Sequence, residues 1–165
     1  MLIGAKKKLS LQTREGRDIE NECNKESVGH PEIAVSQKLI AQYSRASHRI
    51  THPCSTYNCH GLTFASRRTQ IWRDEDLNNI LKDDGYVEVK LHDVSPGDIV
   101  IYRMKDGSFS HSGIVVRKDK KNPDIIVEPR PDILSKWGGS HEVIHSVTDC
   151  PYIDGADVTY YRIIK

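Results

Sequence analysis

No run of apolar residues in this chain approaches the roughly 18 that a membrane-spanning helix requires, so no membrane partner is expected. No charge of one sign prevails either: 24 Lys and Arg face 23 Asp and Glu, for a formal net charge of +1. Such a balance supplies no global field for nucleic acid or anionic lipid. Aromatic residues make up only 7% of the chain, which leaves few stacking platforms beside the short basic groups Arg67-Arg68 and Lys118 to Lys121. No nucleic-acid partner is expected. Cysteine is scarce, with residues at positions 23, 54, 59 and 150 that form no dense framework and read as thiols of a reducing compartment. Repeats and low-complexity tracts are absent. The opening MLIGAKKK puts lysines after a short apolar start with no apolar h-region behind them. A cytoplasmic location is therefore expected, with non-classical export left open.

At 165 residues, 37% hydrophobic and 28% charged, the chain suits one globular core. Residues 1–28 are polar without a sustained apolar period and read as a loosely attached arm, leaving 29–165 as a single domain. PEIAVSQKLIAQYSRAS has Pro31 in a first helical turn and an apolar row Val35, Leu39, Tyr43. HRITHPCSTYN follows as a loop. CHGLTFASRRTQIW reads as a second helix capped by Asn58, with Leu62 and Ala65 inward, and DEDLNNILKDDG as a third, ended by Gly85. Beyond Gly85 the period changes to two. YVEVKL, DIVIYRM, HSGIVVRK, DIIVEP, EVIHSV and VTYYRII have the length and composition of strands, and ILSKW is a weaker candidate. Helices first and hairpin-linked strands afterwards predict an α+β fold, an antiparallel sheet with helices on one face, either open or partly closed as a barrel.

Cys59 falls in the first turn of the second helix, where unpaired backbone N–H groups favour a thiolate and are oriented to hold an oxyanion. On that ground its thiol is expected to titrate below the unperturbed value of about 8.5. His111 opens a strand among Ser110, Ser112 and Gly113, small neighbours that leave room for a substrate, and is the candidate general base. Taken singly, an inert packed cysteine and a surface histidine are the ordinary fates of these residues. Trp137 reads as a packing residue with a partnered indole N–H.

Together, YNCHGLTFAS, SPGDIVIY and HSGIVV resemble, in that order, the NlpC-type papain-like cysteine peptidases and their amidase relatives. That family carries Asp-Cys-Ser-Gly at a helix start, Pro-Gly-Asp before a strand, then His-x-Gly-Ile. Cys59, Gly61, Pro96, Gly97, Asp98, His111, Gly113 and Ile114 stand in those places, and the likeness spans roughly residues 55 to 163. Asn58 replaces the usual Asp and His60 the usual Ser, departures that bear on substrate choice. The resemblance implies a papain-like fold and a thiol hydrolase that passes through a thioester at Cys59, with a peptide, peptidoglycan-stem or other amide or acyl group as substrate. It implies no cofactor and no metal. It also implies a third polar residue that orients His111 from a neighbouring strand. His145 is the first choice, since the spacing of SKWGG, His145, Asp149 and Pro151 looks like a distinctive subgroup. Glu128 is the second, opposite Gly113 if HSGIVVRK and DIIVEP pair, with Ser135 and His141 behind them.

Two readings compete. His48, His52, Cys54, Cys59 and His60 mix imidazole and thiol ligands suited to zinc, though at spacings unlike those of a structural zinc site. A non-catalytic binding module would keep the fold and use its basic groups for an acidic partner.

Overall fold

The computed structural model describes residues 7–24, 27–43, 45–49, 53–119, 129–139 and 141–164. In chain order the elements are α1 (His30–Ala41), β1 (Ser47–His48), α2 (Cys59–Phe64), α3 (Asp74–Asp83), β2 (Tyr86–Val89), a short 3₁₀ turn (Leu91–Asp93), β3 (Ile99–Met104), β4 (Phe109–Arg117), β5 (Asp132–Trp137), β6 (His141–Ser146) and β7 (Ala156–Ile163). Six antiparallel strands form an open sheet in the order β6-β5-β4-β3-β7-β2, with the two-residue β1 added beside β6. The α+β class expected from the sequence is the one observed, and the barrel alternative is not. ILSKW is a full strand between β4 and β6. The DIIVEP segment lies outside the described residues apart from its last position.

Alternation along β3 divides the core. Ile99 and Ile101 join Ala65, Leu77, Ile80 and Leu81 beneath α2 and α3, while Val100 and Tyr102 join Val115, Ile133, Trp137 and Val143 with Ile40 of α1. Helices therefore cover both faces, not one. The cause lies in α1, whose inward residues are Ser36 and Ile40 while Val35 is 68% exposed. The expected row is turned by one position because Ser36 Oγ hydrogen-bonds His141 Nδ1 at 2.9 Å, a polar anchor that an apolar count does not register.

The second helix is shorter than expected. It stops at Phe64, and Ser66 and Arg67 then adopt left-handed backbone (φ 49° and 65°), a conformation that costs a non-glycine residue roughly 1 kcal/mol. That turn sends Arg67 back to the buried Glu142 on β6, which its guanidinium grips at 2.5 and 3.1 Å. Residues 7–24 also depart from expectation, since they are packed and not loose. Cys23 N–H donates to Lys7, Ile19 N–H to Leu11, and Glu22 exchanges backbone hydrogen bonds with Gln70. Ile19 and Cys23 are buried. Two apolar anchors among charged residues are too few to produce a period, which is why the segment reads as an arm.

Two glycines of the motifs are structural necessities. A Cβ on Gly61 would stand 1.8 Å from the carbonyl oxygen of Thr69, and one on Gly113 would stand 2.4 Å from Ile133 Cγ2. The Pro-Gly-Asp turn is structural as well. Gly97 takes φ +97°, its N–H donates to Val115, and Val115 N–H donates to Asp98, which sets the β3–β4 register. The buried Asp98 carboxylate is clamped by Arg162 at 2.7 and 2.8 Å.

Candidate active site

Asn58 makes the start of α2. Its Oδ1 accepts from Gly61 N–H at 2.8 Å and from Ile71 N–H at 3.1 Å, while Nδ2 donates to the Ile71 carbonyl at 2.6 Å. An Asp could accept both but not donate, so the Asn ties the helix start to the 69–71 segment. Cys59, half-buried, is the first residue of the helix. The backbone N–H groups of Ser112 and His60 lie on the side that favours its thiolate.

Ser112 N–H is open to the thiol because of the sheet. Pairing between β4 and β5 runs from Arg117 to Gly113 and goes no further toward Ser112. Beyond Gly113 the first turn of α2 meets the end of the β4–β5 ladder. His60 consolidates the junction through Nδ1 to Ser112 Oγ at 2.9 Å, and Thr63 Oγ1 reaches the same hydroxyl at 3.0 Å.

His111 stands one residue before Ser112, paired with Tyr102 of β3. It is 1% exposed, stacked on Tyr152 at 4.2 Å between ring centroids, and its Nε2 is buried with no hydrogen-bond partner among the described residues. An idle buried acceptor or donor of this kind costs about 1–3 kcal/mol. One nitrogen of His111, one of His145 and the sulfur of Cys150 all lie within 4.8 Å of one another. His145 is saturated: Nδ1 meets the Ser146 carbonyl at 2.9 Å and Nε2 the Ser135 hydroxyl at 2.8 Å. Since the carbonyl only accepts, Nδ1 carries the proton and Nε2 takes the hydroxyl's.

Of the positions named from sequence, His111 and His145 converge and Cys59 sits against the residue next to His111. No hydrogen bond joins Cys59 to His111 among the described residues. Ser135 supports His145 instead of taking its place. His141 is engaged by Ser36 on the α1 side. Glu128 and His52, and the side chain of His48, lie outside the described residues. Cys150, Tyr152 and Lys136 belong to the neighbourhood and were not singled out. Lys136 is 1% exposed, lies over the Tyr57 ring and donates to the Cys54 carbonyl. A lysine in an alternating strand reads as solvent-facing, and only the packing of α2 against β5 reverses that. Trp137 packs edge-on against Tyr43 at 5.1 Å as a core residue should, but its buried indole N–H has no partner among the described residues.

The electrostatics differ from the expected thiolate. Burial pushes the Cys59 thiol up to about 11, against the backbone N–H groups of Ser112 and His60 and the charge of Lys136. A six-residue helix is too short a dipole to prevail over desolvation. Burial likewise holds His111 well below the ordinary imidazole range, helped by His145 and His60, and holds His60 and His145 at about 4. At neutral pH the site is a thiol facing neutral imidazoles. Comparison with protein-family models, with curated proteins and with solved structures finds no match.

Proposed function

We propose that this chain is a thiol hydrolase of the NlpC-type papain-like kind, acting on amide or other acyl substrates through a thioester at Cys59. The observation that carries the reading is a half-buried cysteine at a helix start, near Ser112, whose chain neighbour His111 is buried with an Nε2 that has no partner among the described residues. A structure that tolerates so costly an idle nitrogen, one residue from the strand position that faces Cys59, supports a role for it in proton transfer.

The resting state is thiol and neutral imidazole, so the proton moves as substrate is attacked. His111 accepts the Cys59 proton while sulfur bonds to the carbonyl carbon. The resulting oxyanion takes backbone N–H groups at the start of α2, with Lys136 supplying positive charge nearby. The imidazolium then protonates the leaving amine, the C–N bond breaks, and a thioester remains. His111, neutral again, draws a proton from water as it attacks, and Cys59 leaves as thiol. His145, held by the Ser146 carbonyl and the Ser135 hydroxyl, lies within 4.8 Å of His111 and is the positioning residue that fixes its place by packing.

Labelling with a small acyl-mimicking electrophile, followed by peptide mass mapping, tests this reading. Cys59 alone among the four thiols is expected to label stoichiometrically, and His111→Gln to abolish that selectivity. Labelling spread across Cys54 and Cys59, unchanged by His111→Gln, favours the binding-module alternative.

A further inference from the structure

His111, His145 and Cys150 come from three separate places in the chain: β4, β6 and the β6–β7 connection. Each is 2% exposed or less, and their three ligand atoms lie within 4.8 Å of one another. Two imidazoles and a thiol are a borderline-soft donor set of the kind zinc prefers, and zinc bonds of about 2.0–2.3 Å would draw such atoms together by a short closure. Independent features of the two histidines point the same way. His111 Nε2 is buried from solvent and has no partner among the described residues. His145 donates from Nδ1 to the Ser146 carbonyl, the second-shell bond that fixes a metal-ligating imidazole with its Nε2 lone pair outward. At Cys150 burial pushes the thiol up to about 12, and the backbone N–H of Tyr152 opposes that shift, so the sulfur would be a ligand only with its proton displaced by the ion.

We propose that His111, His145 and Cys150 form an inhibitory Zn²⁺ site, which silences the thiol chemistry by occupying the imidazole that serves as its base. The inhibition rests on the hydrolase reading above, while the metal site does not. Ligation exchanges the Ser135 hydroxyl at His145 Nε2 for the metal, and the Cys150 proton leaves to solvent as the thiolate forms. The β6–β7 connection gates the site, because it carries both Cys150 and Tyr152, whose ring lies on His111. Tyr152 must swing aside for the ion to enter. This set is distinct from the His48–His60 cluster suggested by sequence, where His60 turns its Nδ1 to Ser112.

The test uses the full metal-free chain and Co²⁺ as a spectroscopic stand-in. One equivalent is expected to give tetrahedral visible bands and a thiolate charge-transfer band, which persists in Cys59→Ser and disappears in Cys150→Ser. Zn²⁺ should displace it, with affinity falling by about 100-fold or more in Cys150→Ser, beyond the 10–100-fold of an outer-shell loss. Circular dichroism melts establish that the variants are folded, and His145→Gln, expected to lose the tetrahedral bands, gives a second check should Cys150→Ser not fold. Absence of the charge-transfer band in wild type, or its survival in Cys150→Ser, overturns the site. For the inhibition, one equivalent of Zn²⁺ should slow electrophile labelling of Cys59 at least about tenfold, reversibly with chelator, and should not slow it in Cys150→Ser. Labelling indifferent to zinc while the cobalt band is present overturns the inhibition. A Cys59 that never labels, with chelator or without, overturns the hydrolase reading and leaves the metal result standing.

Discussion

Two buried polar clusters flank the first turn of α2, and they are built on opposite principles. On one side, Glu142 accepts from Tyr57 at 2.6 Å and from Arg67, and it stands across the β5–β6 ladder from Lys136. Burial works against its ionised form, but Arg67 and Tyr57 prevail and hold the carboxyl below the usual range. On the other side, His111 has an idle nitrogen among the described residues, and burial keeps the three imidazoles neutral, with Asp149 and Asp132 offsetting it only in part at His145. A saturated cluster fixes geometry. An unsaturated one spends stability to keep a group available.

Substitutions should therefore separate turnover from stability. The largest effect is expected at His111→Gln, which retains most of the volume: steady-state turnover falls by about 10⁴-fold, while the thermal midpoint moves by only a few degrees. A variant with turnover near wild type removes His111 from the chemistry. Next comes Glu142→Ala, which strands Lys136 in the core and should cost about 3–5 kcal/mol in urea unfolding, with the remaining folded fraction still labelling at Cys59. A loss under 1 kcal/mol would mean that the saturated cluster is ornamental.

The pH dependence tests the unsaturated side as a whole. His60 and His145 protonate at about 4 when folded and near 6.5 when unfolded. Between those values the unfolded chain binds more protons, so stability is full above 6.5 and is lost as pH falls toward 4. Each imidazole contributes about 3 kcal/mol to that loss, and chemical denaturation at pH 7 and pH 4.5 measures it. Equal stability at the two pH values would show the imidazoles to be solvated. Of similar size is the shift of Cys59, whose iodoacetamide rate should rise with a midpoint near 11 instead of below 8.5. A midpoint under 8 would restore the thiolate expected from the helix start. The smallest effect belongs to His145→Ala, expected to lower turnover about 10–100-fold as the loss of a positioning group does, with a change in the acid limb of the pH profile. An unaltered profile with unaltered turnover passes the third role to another residue, Glu128 first.

Much of the architecture was legible because its signals are local. Asn58 before Cys59, the acidic first turn of α3, Gly85 and the Asp-Gly turn between β3 and β4 act through neighbours within a few residues, and each element they delimit is present. Gly61 and Gly113 could be matched to motifs, but their physical reasons could not be read, since the atoms they make room for come from Thr69 and Ile133.

By itself the sequence determined the α+β order of helices and strands, and it marked Cys59 and His111 as the pair to watch, because period, caps and turns are written in adjacent residues. Tertiary structure decided the rest. Packing turned α1 onto the second face, drew residues 7–24 against the core and carried Lys136 and Cys150 to the candidate site. It also reversed the expected charge state of Cys59, because desolvation depends on everything that surrounds a thiol, and those surroundings are assembled from strands far apart in the chain.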